Sequence, residues 1–376
     1  MARETRRVAV VAGARTPFVK ARKDFEKLSA LELSNHAVRG LLDRHEVDPA
    51  SIDAISWGIV LPDPKRPNLA REIVFGADLP RSIEAQTISS YCITGLRTIS
   101  QIADGIATGR IDAGLAGGVE TLSLATLDTF REPTTGLNMG EHMELSVKEW
   151  SIAREAQDEV TLRSHRNAVA AREKLAQEIV PVAGVEADSG PRGDTSLEAL
   201  GGLDPVFDPE NGTLTAGNSS PVTDGASAVL LMSEERARQE GRTPLAFLRA
   251  VDFAAIDPSE GLLMAPGVAV PRLLEREGIA LSDVDLVEIH EAFAAQLLAN
   301  AAAWEKGWKG PALPALDMDR VNVNGGSVAI GHPWSATGGR VVTTLAYEMA
   351  RRDAKLGLVS VCAAGAMAGA MLFERD

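Results

Sequence analysis

Residues 85–106 read AQTISSYCITGLRTISQIADGI, and this stretch decides the fold class. Ala85 to Ser89 is short and reads as a strand. From Cys92 onward, Leu96, Ile99, Ala103 and Ile106 recur at intervals of three or four, as on a helix with one apolar face. A strand that runs straight into a helix is part of a β-α-β unit, and Cys92 sits at the junction. The unpaired N–H groups and the dipole of a helix N-terminus favour a thiolate there. The competing explanation is a small buried hydrophobe, because free cysteine is among the most buried residue types.

The same rhythm extends in both directions. Arg7 to Ala12 reads as a buried strand, Ser29 to His45 as a helix, Ile52 to Gly58 as a strand and Asn68 to Phe75 as a helix. Ala113 to Ala116 reads as a strand ending in Gly117-Gly118. The second half repeats this order. Ser282 to Ile289 parallels Pro49 to Ser56. Gly331-His332-Pro333 opens a helix over Gly338 to Met349, as Cys92 opens one earlier. Leu356 to Val361 is a strand that runs into Cys362 and a Gly/Ala segment. Strands alternating with helices imply parallel sheets covered by helices. Between the halves, Glu120 to about Asn211 is charged and rich in turns, with a helix-like stretch from Ser146 to Leu175; it reads as an insertion. The expected division is 1–119 with 213–245 as one α/β half, 120–212 as an inserted loop domain, and 246–376 as the second half.

Composition narrows the function. The 376 residues carry a net charge of −14, which makes the chain a poor generic partner for nucleic acid or an anionic membrane. Any anionic ligand must therefore be held by local Arg, Lys or backbone N–H groups. Two cysteines cannot form a disulfide framework at this length. No targeting pattern follows the charged start at Met1 to Arg7, and no apolar run reaches membrane-spanning length. The expectation is a cytoplasmic protein.

Three further places could carry chemistry; Cys92, Cys362, His290 and the Asn324-Gly325-Gly326 turn all lie just after expected strands, where ligands gather in open α/β sheets. Pro333 pins the backbone beside His332, whose neutral imidazole could take a proton from a nearby thiol. His290-Glu291 follows the apolar run Leu286 to Ile289, and His290 could donate to an oxygen that develops charge. The plain alternative for Glu291 is a place in a first helical turn. Cys362 precedes Ala363-Ala364-Gly365-Ala366, small residues that let backbone N–H groups approach a ligand. Its thiol could shuttle protons.

These segments, together with Val10 to Phe18, Ala116 to Thr121, Thr215 to Ser220, Asp224 to Ala226 and Asn322 to Gly326, follow the order found in one family. The chain resembles the thiolases nearly end to end. That resemblance implies two similar α/β halves packed as a five-layer αβαβα sandwich. It implies an acetyl-CoA C-acyltransferase that cleaves 3-ketoacyl-CoA with CoA through an acyl-cysteine. The alternatives are condensation of two acetyl-CoA, or an acyl-CoA-binding protein with a decayed site.

Residue by residue, the resemblance assigns acylation to Cys92 and its activation to His332. Proton transfer to and from acetyl or CoA falls to Cys362. Binding of the thioester oxygen falls to His332 and His290, and a second oxyanion hole to the backbone N–H groups of Cys92 and Ala364. Met139 belongs to the acyl-pocket segment. His290, where many relatives have Asn, points toward the β-subunit branch of the trifunctional fatty-acid oxidation enzymes. No metal and no permanently bound cofactor are implied; CoA and acyl-CoA are substrates. The stretch from Glu120 to Met139-Gly140 is shorter than in most relatives, which suggests a homodimer, with a dimer of dimers as the alternative. After it, Glu141-His142-Met143-Glu144 replaces the family's common Thr-Ala-Glu.

Overall fold

The structure, a computed structural model, describes residues 5–125 and 130–376. Met1 to Glu4, part of the segment read for a targeting signal, and 126–129, part of the shortened stretch, lie outside the described residues.

The first half runs β1 (Val8–Arg15), β2 (Val19–Lys20), α1 (Ala30–Arg44), β3 (Ala54–Gly58), α2 (Leu69–Gly76), β4 (Glu84–Ile88), α3 (Thr94–Ala107) and β5 (Ala113–Glu120). Four helices follow: α4 (Met139–Trp150), α5 (Arg154–Ala170), α6 (Arg172–Ala176) and α7 (Leu197–Gly201). Then come β6 (Thr223–Ser233), α8 (Glu234–Gln239), β7 (Ala246–Ala255), α9 (Pro266–Glu277), β8 (Leu286–Ile289) and α10 (Ala294–Lys306). The chain ends with α11 (Ser327–Ile330), α12 (Ser335–Arg352), β9 (Leu356–Ala363) and β10 (Met367–Glu374).

The main strands form one path in the order β4-β3-β5-β6-β1-β7-β10-β9-β8, with β2 paired to β6. The path is nearly a palindrome about the β1–β7 contact. β4, β3 and β5 pair in parallel, as do β8 and β9, whereas β6 and β10 run antiparallel to their neighbours. The two halves join through the short register Val8↔Leu248, Ala9↔Phe247 and Val10↔Ala246.

Alternation along the strands buries both faces of each half. In β1, Val8 and Val10 face the middle of the molecule and Ala9 and Val11 the outside; Val229 and Leu231 of β6 do the same against Leu230 and Met232. The middle layer is α3 and α12. Leu96, Ile99, Ile102 and Ile106 meet Val341, Val342, Leu345 and Met349 there, between the strands of both halves. α1 and α2 cover the outer face of the first half, and α9 and α10 that of the second. Helix, sheet, helix pair, sheet and helix make five layers. Glycine sets the spacing of the middle pair. A Cβ on Gly95 would lie 2.6 Å from the Ser335 carbonyl oxygen, and one on Gly338 would lie 2.5 Å from the Leu96 nitrogen.

Two expectations need correction. β5 does not stop at Gly117-Gly118 but continues to Glu120. These glycines are sites of close approach, since a Cβ on Gly118 would lie 2.4 Å from the Ser335 carbonyl oxygen. The helix-like stretch from Ser146 to Leu175 is three helices, because Ser151 ends α4 in the left-handed region at φ +54°.

Candidate active site

Cys92 lies after β4, two residues before α3, on a turn where Tyr91 holds φ at +48°. A bulky side chain in that region is strained, and such strain persists where the surroundings over-determine it. His332 lies between α11 and α12. A bridge between Val222 and His332 and the buried Thr337 fix it. His332 Nε2 is 3.1 Å from Cys92 Sγ, and its Nδ1 is 2.6 Å from Thr337 Oγ1. With Nδ1–H donating to Thr337, the Nε2 lone pair faces the thiol.

The expected thiolate is not what the surroundings favour. Cys92 is half-buried at its surface, yet burial dominates and pushes the thiol up to about 12. The backbone N–H groups of Ala364 and of Cys92 itself oppose that rise, and the neighbouring Glu120 adds to it. Burial, and then the Arg340 charge, hold His332 down to about 3. The resting pair is therefore a neutral thiol beside a neutral imidazole.

Cys362 ends β9 and is buried, its thiol raised well above the usual range by burial and then by Cys92. It belongs to an apolar cluster with Met143, Leu263, Met264 and Phe293, against which Met139 packs. The structure thus brings Met139, the first residue of α4, to the same cluster as Cys362. His142 turns toward Thr135, 2.7 Å from its Oγ1, while Glu144 accepts from the backbone N–H groups of Thr213 and Leu214. After β9, Gly365 and Ala366 both take positive φ, +71° and +52°.

His290 directly follows β8 and is fully buried, its ring centroid 3.9 Å from that of His332. Burial, then His332 and Arg340, hold its imidazole well below the usual range. Its Nδ1 is 2.8 Å from Ser327 Oγ, and its Nε2 has no hydrogen-bond partner among the described residues. Glu291 is not in a helical first turn, because α10 starts only at Ala294. It is a buried tie: its carboxylate accepts from Asn322 Nδ2 at 2.6 Å, Ser164 Oγ at 2.9 Å and the Val328 N–H at 3.1 Å. These bonds hold the Asn322 to Gly326 turn against β8 and α5. Glu120 ties the other side, accepting from Ser335 Oγ at 2.6 Å and from the Val60 N–H. Burial pushes its carboxyl up to about 7.

A cavity of about 350 Å³ lies between β2, α7 and the segments that carry the site, lined by Lys20, His165, Arg192, Ala216, Ser219 and Val328. Neither Lys20 nor Arg192 forms an ion pair among the described residues, and they depress each other's neighbours. Burial and then Arg192 lower Lys20; burial, then Arg192 and Lys20, bring His165 to about 4. Lys20 and Arg192, close together and without an ion pair among the described residues, fit an anion. Sequence reasoning did not single out these residues. The turn-rich segment Asp188 to Gly193, which holds Arg192, was the one available signal.

Comparison with known proteins follows this geometry. The family models described as "Thiolase, N-terminal domain" and "Thiolase, C-terminal domain" match residues 8–142 with 126–235, and 242–375. A 3-ketoacyl-CoA thiolase of Colwellia psychrerythraea is 37% identical over 98% of this chain and 97% of its own length. One of Shewanella pealeana is 38% identical over 98% and 97%. Among solved structures, human mitochondrial 3-ketoacyl-CoA thiolase superposes with a TM-score of 0.90 at 30% identity, covering 99% of both chains; it has also been solved in complex with CoA. Bacillus anthracis acetyl-CoA acetyltransferase gives 0.89 at 31% identity, again covering 99% of both.

Proposed function

The chain belongs to the thiolase family, and from that membership we propose that it cleaves 3-ketoacyl-CoA with CoA, releasing acetyl-CoA and an acyl-CoA shortened by two carbons, as in fatty-acid β-oxidation. It is an acetyl-CoA C-acyltransferase. The observation that carries the mechanism is the 3.1 Å approach of His332 Nε2 to Cys92 Sγ.

Cys92 attacks the 3-keto carbon while its proton passes to His332 Nε2. The bond between C2 and C3 then breaks. Its electron pair stays with the acetyl-CoA fragment, whose enolate oxygen is held by His290 Nε2–H and the protonated His332. The Cys362 thiol gives that fragment its proton. The resulting Cys362 thiolate takes the proton of an incoming CoA thiol, CoA attacks the acyl-Cys92 carbonyl, the bond to Cys92 Sγ breaks, and the departing Cys92 thiolate recovers its proton from His332. The Cys92 and Ala364 N–H groups stabilise the oxyanion of the acylated cysteine. The neutral resting pair suits this order, because charge develops only as substrate enters. The apolar cluster of Met139, Met143, Leu263, Met264 and Phe293 takes the acyl chain, and the cavity lined by Lys20 and Arg192 takes CoA phosphate.

Condensation of two acetyl-CoA uses the same groups in reverse, and the likeness to an acetyl-CoA acetyltransferase favours it as the second reading. Thiolysis rates across 3-ketoacyl-CoA substrates of increasing chain length separate the two. Rates that persist or rise beyond the four-carbon substrate support the degradative reading. Activity confined to acetoacetyl-CoA supports the other.

Location in the cytoplasm and assembly as a homodimer belong to the same proposal. β4 supports pairing, because it ends the strand path with largely uncovered side chains. Sedimentation at micromolar concentration tests the assembly.

A further inference from the structure

We propose that Ser327 and Arg340 are positioning residues that lock His290 in the tautomer carrying its proton on Nε2, aimed into the site. The inference rests on the reading of His290 as a donor to the thioester oxygen and deepens it.

Hydrogen-bond bookkeeping fixes the tautomer. Arg340 can only donate. Its Nη2 lies 2.8 Å from Ser327 Oγ, so that oxygen accepts. The hydroxyl proton is then free to go to His290 Nδ1, 2.8 Å away, the other polar atom bonded to Oγ. Nδ1 accepts, so the ring's single proton sits on Nε2. That nitrogen is buried and without a partner among the described residues. A buried donor left unpaired costs stability, and burial makes this one costly to keep unless an oxygen arrives to take it.

The relay is itself anchored. Arg340 is fully buried on α12, and its Nη1 is 3.3 Å from a carboxylate oxygen of Glu288 on β8. Ser327 opens α11 immediately after the Asn324-Gly325-Gly326 turn, which Glu291 holds through Val328 and Ser164. Glu288 lies on β8 and His290 directly after its last residue, so one strand end carries both ends of the chain Glu288–Arg340–Ser327–His290. Without the serine hydroxyl, the imidazole could place its proton on either nitrogen. The fraction with Nε2–H would fall, and with it the stabilisation of the developing enolate oxygen.

Two measurements test this. In the unliganded protein labelled with ¹⁵N-histidine, His290 should show a protonated Nε2 and a bare Nδ1, with Ser327→Ala shifting it toward a tautomer mixture. Ser327→Ala should lower kcat for thiolysis by about tenfold, the scale of an outer-shell partner, with KM little changed. In a His290→Asn background the same change should have almost no further effect, and Ser327→Thr should retain most of kcat. A wild-type His290 protonated on Nδ1 would overturn the proposal. So would a Ser327→Ala loss of equal size in both backgrounds. The tautomer reading needs no turnover, so a chain that fails to thiolyse any substrate yet shows Nε2–H would sink the functional reading and leave the positioning intact.

Discussion

His332 Nε2 lies 3.1 Å from Cys92 Sγ although 240 positions separate the two residues in the chain. Cys92 sits between the edge strand β4 and α3, and His332 between α11 and α12. The crossing of α3 and α12 sets their distance.

The protonation state of that pair is testable. Burial raises the Cys92 thiol to about 12 and lowers His332 to about 3, which favours a neutral thiol and imidazole over a thiolate–imidazolium pair at rest. Iodoacetamide labelling of Cys92 should therefore rise about tenfold per pH unit from pH 6 to 10, with no acidic plateau. A plateau already reached at pH 6 would show a preformed thiolate and contradict the neutral pair.

The crossing itself can be probed at Gly95. An added Cβ would press on the Ser335 carbonyl and Gly338. Gly95→Ala should cost about 1–3 kcal/mol in urea unfolding, as overpacking does. It should also lower kcat on the order of a hundredfold by shifting Cys92 from His332. Gly201→Ala is the control: nothing lies within 4 Å of its Cβ, so stability and rate should hardly change. Equal behaviour of the two variants would count against a crossing set by glycine.

His290 should matter to the transition state more than to binding. Removing one preorganised donor costs about 10²–10³ in kcat. His290→Ala should show that loss with KM changed only slightly. A rise in KM at unchanged kcat would place His290 in ground-state binding instead.

Acid stability has a source beside the site. Burial works against ionised Glu348, but bonds from Asn324, Arg351, Arg352 and Lys174 outweigh it and hold the carboxyl down to about 2. Its folded pKa lies below the unfolded value near 4.5, so its contribution is present above pH 4.5 and is lost as pH falls toward 2. Glu348→Gln should destabilise by roughly 2 kcal/mol at pH 7, allowing for solvent around the arginines, and the gap should close by pH 2. A gap independent of pH would assign the loss to packing.

Much of this site was legible in the sequence, for physical reasons that differ by residue. Cys92, His332 and Cys362 stand at element junctions with periodic apolar neighbours, and motif order adds what spacing alone lacks. For the charge state of Cys92 the junction suggests a thiolate, whereas burial, which only the fold reveals, pushes the thiol up. Glu291 is not in the first helical turn because Ala292 and Phe293 separate it from the start of α10. Gly117-Gly118 looked like a strand end, but contact with Ser335 is what requires them. Lys20, His165 and Arg192 come from distant segments and meet only in the folded chain. The role of Ser327 shows only in the fold, where Arg340 and His290 lie on either side of its hydroxyl.

The central claim is that Cys92 carries the acyl group and Cys362 moves the proton. The most direct test is mass spectrometry of the Cys362→Ala variant after mixing with acetyl-CoA, followed by peptide mapping. One acetyl group on the peptide containing Cys92, with turnover slowed severely and no adduct in the Cys92→Ala, Cys362→Ala double variant, is the expected result. No adduct on Cys92, or full steady-state turnover without the Cys362 thiol, would contradict it.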